Sequence, residues 1–249
     1  MKTKLRKYPS IFLILLLAIS SCFLTGCVNQ HPKDSKKSSQ GESVETMLEI
    51  TDPKEKQAVL NAKAKVKALS GNPRIVATSP AVADICDKLD LDLVGVPKSS
   101  VSKIPSRYKK VKKVGLAMSP DMEIVSSLNP DWILAPSSLE TDLKPKFEEL
   151  KNTEYAFLNL RSVQGMYRSV QELGEIFGKQ QEAEKMTKEF TTFYKSYPKR
   201  NKNKKHPKVL VLMGLPGSYV IATENSYVGS LVKLAGGENV YQNTDQEFL

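Results

Sequence analysis

Few side chains in this 249-residue sequence are suited to making or breaking bonds, and the best placed is the thiol of Cys27. It closes the run Leu24-Thr25-Gly26-Cys27, which follows an unbroken apolar stretch at residues 11–19 and a basic start of Lys2, Lys4, Arg6 and Lys7. A basic start, an apolar stretch and small residues before a cleavage point make a secretory signal. With cysteine directly after the cut, the pattern reads as a bacterial lipobox. Thr25 and Gly26 leave room for a peptidase, and the freed Cys27 takes a lipid and becomes the mature N-terminus. The alternative is an uncleaved anchor, but the apolar residues 11–24 fall short of the ~20 needed to span a bilayer. The rest of the chain is therefore expected on the extracytoplasmic face of the cell membrane, held there by lipid.

The other reactive side chains point away from catalysis. Cys22 leaves with the signal, so Cys86 stands alone and no disulfide framework is expected. Between Ile85 and Leu89, with no histidine beside it, Cys86 reads as a small buried hydrophobe. The two histidines are His31 and His206. No GxGxxG, no GxxxxGK[ST] and no nucleophile with a base is present, and Gly214-Leu215-Pro216-Gly217 is not followed by Lys-Ser/Thr. An enzyme is not expected. Met118 has two open readings: filler of an irregular core gap, or a soft neutral metal ligand in a turn.

Charge narrows the partners. There are 37 Lys and Arg against 27 Asp and Glu, a net +10. Four of those cations belong to the signal, which leaves +6 after cleavage. This suits a surface near anionic lipid or wall polymer. The lysines scatter without an aromatic-rich basic motif, so nucleic acid is not an expected partner. Lys109-Lys110, Lys112-Lys113 and the basic stretch 199–205 read as solvated faces.

The elements that must position these side chains follow from periodicity. Residues 28–72 read as a polar tether that is partly helical. Within it, 54–69 carries good helix formers, with Val59, Ala62, Val66 and Leu69 at helical spacing. That helix is expected to pack loosely or not at all. Residues 73–160 form an α/β lobe. Strands are predicted at 74–78, 93–96, 111–114 (weak), 132–135 and 155–158. Ser79 with Pro80 opens a helix through Leu89, Ser119 with Pro120 opens another through Leu128, and a third covers 143–150. Such alternation implies a mostly parallel sheet covered on both faces. Residues 161–200 show apolar spacings of three and four: a long connecting helix, or two, with Gly174 and Gly178 as weak points. Residues 201–249 begin a second lobe with a strand at 208–213, a turn at 214–217, a strand at 219–222 and a helix at 227–235 capped by Ser226. One strand pair and one helix cannot bury a second sheet, so this lobe is expected to be incomplete, with poor order from about Tyr241.

The order lipobox, α/β lobe, long helix, second α/β lobe resembles the substrate-binding lipoproteins of ABC transporters that handle siderophores, haem and cobalamin. The resemblance is carried by Arg74-Ile75-Val76 running into Ser79-Pro80, by Leu93-Val94-Gly95-Val96, by Met122-Glu123-Ile124-Val125 through Leu128-Asn129-Pro130-Asp131-Trp132-Ile133-Leu134, and by Leu234-Ala235-Gly236-Gly237-Glu238-Asn239-Val240. Within that family the chain is similar to the haem-uptake branch of Gram-positive bacteria. There the likeness lies in residues 88–95, Pro105-Ser106-Arg107-Tyr108-Lys109, Gly115-Leu116-Ala117-Met118-Ser119-Pro120 and residues 205–219. The fold implied is two α/β lobes joined by a long backbone helix, the second lobe incomplete here.

The resemblance implies haem b as bound cargo. Its iron would be held by a methionine from the first lobe, at the position of Met118, and a histidine from the second. His206 matches a histidine that is not the iron ligand there, and is expected at the surface; the ligand histidine would lie beyond Leu249. The helix start at Thr78, Ser79, Ala81 and Val82 would meet a propionate, with Ser99 and Ser100 as further donors; Pro80 has no amide to offer. Asp84 stands where such proteins place the first-lobe acid that docks on the permease, while Ser230 stands near the second-lobe position without an acid. The partners implied are haem, the ABC permease membrane subunits, upstream cell-surface haem-transfer proteins and the membrane through the lipid anchor. A monomer is expected. Two alternatives stay open: a ferric-siderophore or cobalamin binder of the same family, and a truncated copy without transport function.

Overall fold

In chain order the elements are α1 (Pro53–Lys67), β1 (Ile75–Ala77), α2 (Pro80–Lys88), β2 (Leu93–Val96), β3 (Lys112–Lys113), β4 (Gly115–Leu116), β5 (Ser119–Pro120), α3 (Met122–Ser127), β6 (Trp132–Pro136), α4 (Glu140–Glu148) and β7 (Glu154–Leu158). Then follow α5 (Val163–Phe177), α6 (Gln180–Asn201), β8 (Lys208–Val209), β9 (Val211–Leu215), β10 (Ser218–Ala222), α7 (Tyr227–Leu234) and β11 (Glu238–Asn239). The computed structural model describes residues 48–50, 52–201, 203–215, 217–242 and 244–249. The expected signal, Cys27 and the expected tether through residue 47 lie outside the described residues. Among those described, no helix is long and apolar enough to cross a membrane.

Short apolar runs build the main sheet. Its order is β3-β2-β1-β6-β7, and every pairing is parallel. β1 and β6 are buried along their whole length, as strands covered on both faces must be. Alternate side chains feed opposite layers. Ile75, Ala77, Trp132 and Leu134 join α2, α5 and Tyr108 in one apolar cluster. Val76, Ile133 and Ala135 join Val125, Leu143 and Phe147 in the other. Fully burying a side chain such as Leu134 or Phe147 is worth about 1.5–3 kcal/mol.

Local chemistry sets the helix starts. Ser79 Oγ accepts from the Val82 amide at 3.2 Å, with Pro80 in the first turn, as the sequence predicts. α3 differs from expectation. Asp121, not Ser119, caps it, accepting from Ile124 N at 3.1 Å. Ser119 and Pro120 are instead taken up as β5, paired with Leu116 and Gly115. The Asp121 amide is held by Val114 O at 2.8 Å.

The connecting segment is two helices. Gly178 ends α5 in the left-handed region, with φ 70°, and Lys179 N donates to Gly174 O at 2.7 Å. That conformation suits glycine, which has no Cβ to clash. α6 returns along α5, and Tyr167 stacks on Phe190 with centroids 4.4 Å apart. α1 departs from expectation as well: it docks. Val59, Ala62 and Val66 pack against the first apolar cluster. Lys63 bonds Glu175 at 2.6 Å, and Lys65 bonds Glu154 at 2.5 Å. Helical spacing alone could not reveal a receiving face on α5.

After residue 207 the layers thin. The expected strand 208–213 divides at Leu210: β8 pairs in parallel with β11, and β9 pairs with β10 as an antiparallel hairpin. Ile221 and Leu249 exchange two backbone hydrogen bonds of 2.7 and 2.9 Å, and Thr223 N donates to Glu247 O at 2.9 Å.

Candidate functional site

Because the five strands of the main sheet are parallel, the segments that leave their carboxyl ends gather at one edge. Thr78 and Ser79 follow β1, Ser99 and Ser100 follow β2, the β4–β5 hairpin follows β3, and Ser137 follows β6. The chain steps outward from β1 to β2 to β3, then resumes on the other side of β1 with β6 and β7. The switch point is therefore between β1 and β6, where open parallel sheets hold ligands.

Met118 sits in the turn of the hairpin. Leu116 pairs with Ser119, so Ala117 and Met118 form the two-residue connection. Gly115 at its base has φ 95°, and a Cβ there would meet the Asp121 amide nitrogen at 2.8 Å, so no larger residue fits without a shift. Met118 is 73% exposed, which removes the core-filler reading. Met122 takes up such a role instead, packed against the second cluster. A thioether presented this way is a soft, neutral donor.

The β1–α2 turn is partly committed to its own fold. Thr78 N and Oγ1 both donate to Leu134 O, at 3.0 and 3.3 Å, which ties β1 to β6. Thr78, Ser79 and Val82 are buried. The Val82 amide is spent on Ser79 Oγ, and the Ala83 amide donates to Ser79 O at 3.0 Å. The Val82 amide, expected as a propionate donor, is thus already paired within its own turn. Ala81 is exposed, and its first-turn amide has no acceptor four residues back within the helix. Ser99 Oγ accepts from Ser102 N at 3.0 Å in an exposed turn, and Ser100 is exposed. Ser137 was not legible in the sequence: its hydroxyl is buried with no hydrogen-bond partner among the described residues, and only sheet order brings it beside β1.

The remaining candidates lie elsewhere. Asp84 is exposed on α2; its carboxyl is pushed upward by partial burial and by Asp87, with Lys88 opposing. His206 is exposed, and Nδ1 lies 2.6 Å from Gly236 O; a carbonyl only accepts, so Nδ1 carries the proton. Ser230 Oγ donates to Tyr227 O at 2.7 Å and accepts from Val163 N at 3.3 Å, joining α7 to α5. Cys86 is fully buried and its thiol is pushed up to about 12 by that burial. A thiol so protonated is a poor nucleophile. A cavity of about 440 Å³ opens between α1, α5 and α6, lined by residues including Lys56, Leu60, Gln171 and Glu175; none of the candidate ligand residues lines it. Among the described residues, no three His, Cys, Asp or Glu side chains gather as a metal site.

Comparison with known proteins agrees with this arrangement. Staphylococcus aureus (strain Newman) High-affinity heme uptake system protein IsdE is 41% identical over 181 residues, covering 72% of this chain and 61% of that protein. The chain thus spans about three-fifths of the curated relative. The crystal structure of S. aureus IsdE complexed with heme superposes with a TM-score of 0.67 at 39% identity, covering 72% of this chain and 69% of that one. An ABC transporter substrate-binding protein from Listeria monocytogenes EGD-e superposes with a TM-score of 0.66 at 46% identity over the same shares. A parallel α/β sheet followed by two helices and further strands accords with these matches. The periplasmic binding protein family model matches residues 75–249, and the chain belongs to that family.

Proposed function

We propose that this chain is a membrane-tethered haem-binding lipoprotein that receives haem and delivers it to an ABC permease for iron acquisition. The observation that carries the reading is the exposed thioether of Met118, held in a hairpin turn at the carboxyl edge of the parallel sheet. The IsdE likeness adds to it. Haem is cargo, and its two faces differ in what they require. Met118 supplies a soft axial ligand on one side. Ala81, Ser99 and Ser100 offer polar donors along the same edge for the propionates, with Thr78, Ser79 and Val82 shaping the turn that presents them. The second axial ligand is read as a second-lobe histidine other than His206, as the family resemblance implies. Cys27 would carry the lipid, and Asp84 on the exposed face of α2 would meet a cation of the permease.

Titrating haem and a ferric siderophore against the chain and against Met118→Ala tests the reading. A Soret shift with the parent chain, and haem affinity reduced at least about tenfold in the variant, is expected. An unchanged Soret band and affinity in Met118→Ala would overturn the role of Met118. Binding of the ferric siderophore alone would favour the siderophore alternative, and failure of both to bind would leave the truncated-copy reading.

A further inference from the structure

Residues 93–120 carry six lysines, one arginine and no acid. Arg107 is spent locally: it bonds Asp90 at 2.8 Å and Asp92 at 2.7 Å. The six lysines, Lys98, Lys103, Lys109, Lys110, Lys112 and Lys113, are all exposed. Among the described residues, none of them pairs with a carboxylate. They form one band. β3 is the outer strand of the sheet, with Lys112 opposite Gly95 and Lys113 opposite Val96. Lys98 N donates to Gly115 O at 2.6 Å, which fastens the loop after β2 to the base of the hairpin. Lysine on an edge strand also prevents edge-to-edge pairing. That accounts for Lys112 and Lys113 but not for the four lysines outside the strand. Within residues 93–120 three apolar side chains stand out into solvent: Val101, 94% exposed between Lys98 and Lys103, Leu116, 58% exposed, and Met118, 73% exposed, the last already assigned to the ligand.

We propose that this band is a membrane-docking face that lays the first lobe against an anionic lipid surface, with Val101 entering the headgroup region. Clusters of four to eight cations are the usual size for recognising anionic lipid. Isolated apolar tips among lysines match a lipid surface, which needs no shaped pocket to receive them; an acidic protein would. The proposal rests on the tethered reading above, because a lipid at Cys27 would keep this face within reach of the bilayer.

The test uses the full chain, carrying Val101→Trp, with phosphatidylcholine vesicles and with vesicles enriched in phosphatidylglycerol. Trp132, the sole native tryptophan, is buried and gives a constant background. Blue-shifted emission is expected with the anionic vesicles only. It is expected to be lost at high salt, to weaken about fivefold in docked-to-free ratio for each lysine removed, and to vanish in Lys109→Gln/Lys110→Gln/Lys112→Gln/Lys113→Gln. The matching Lys→Arg variant should retain it. Equal emission with both vesicle types, or an unchanged shift in the glutamine variant, would overturn the proposal. A shift produced by an acidic protein and not by vesicles would also overturn it, in favour of a protein partner. Flotation with neutral vesicles reports the anchor separately: a chain that fails to float has lost the tether, while one that floats without the shift has lost only the docking face.

Discussion

The sheet of the first lobe and the strands after residue 207 are made of similar residues, yet they bury them very differently. β1 and β6 have helices on both sides, and Val76, Ala77, Ile133 and Leu134 have no solvent exposure. In the second region Leu210, Leu212 and Met213 are 51%, 54% and 40% exposed, and Tyr219 is 67% exposed. The backbone pairing is satisfied in both, through the hairpin register and the bonds of residues 247–249. Hydrogen bonding can therefore be completed by strands alone, whereas apolar burial needs a second layer. Stability should concentrate where both layers exist.

The largest test of that contrast is a pair of truncations. Phe147→Ala, at a fully buried position between α4 and β7, is expected to cost about 3–5 kcal/mol. Leu212→Ala in the hairpin should cost under about 1 kcal/mol, because little area is lost from burial. Denaturant unfolding of both variants checks this, and equal costs would break the comparison.

A second test sharpens how α1 belongs to the well-packed region. Glu172 on α5 is hydrogen-bonded to Glu55 on α1, and its carboxyl is raised to about 8 by burial, then by that bond and the charge of Glu55, with Arg168 opposing. A carboxyl raised by folding stabilises fully below its ordinary range, and the contribution fades as pH rises through about 8. Melting temperature and α1 amide protection should both fall on that rise. Glu172→Gln keeps a donor for Glu55 and removes the titration, so its profile should be flatter. A parent profile as flat as the variant's would show that α1 docks through Val59, Ala62 and Val66 alone.

The smallest effect is expected at the surface of the same lobe. Arg107 bonds Asp90 and Asp92, and its guanidinium lies 5.3 Å from the Tyr108 ring centroid. Both acids are exposed, so Arg107→Ala should cost about 1 kcal/mol or less, read in the same unfolding series. A cost near that of Phe147→Ala would move the origin of stability from the core to the ion pairs.

Much of this was legible in the sequence where the deciding contacts are short-range. Leu93-Val94-Gly95-Val96 is a strand to the residue, and the Ser79 and Ser226 caps hold their helices as their spacing predicts. The Ser119-Pro120 pair misled because it has the composition of a helix start. A partner strand, Gly115–Leu116, captured it, and Asp121 supplied the cap two residues later. α1 was legible as a helix but not as a docked one, since its docking depends on α5, more than a hundred residues away.

The sequence by itself determined the alternation of strands and helices and the caps, because each rests on neighbours within a few positions. Only the tertiary structure decided that Met118 stands in an exposed hairpin turn and not in the core. It alone spent the Val82 amide on Ser79, set Ser137 beside β1, and joined Glu55 to Glu172. Those outcomes depend on which strands lie side by side and which helix faces meet, and such long-range contacts leave no local period in the chain.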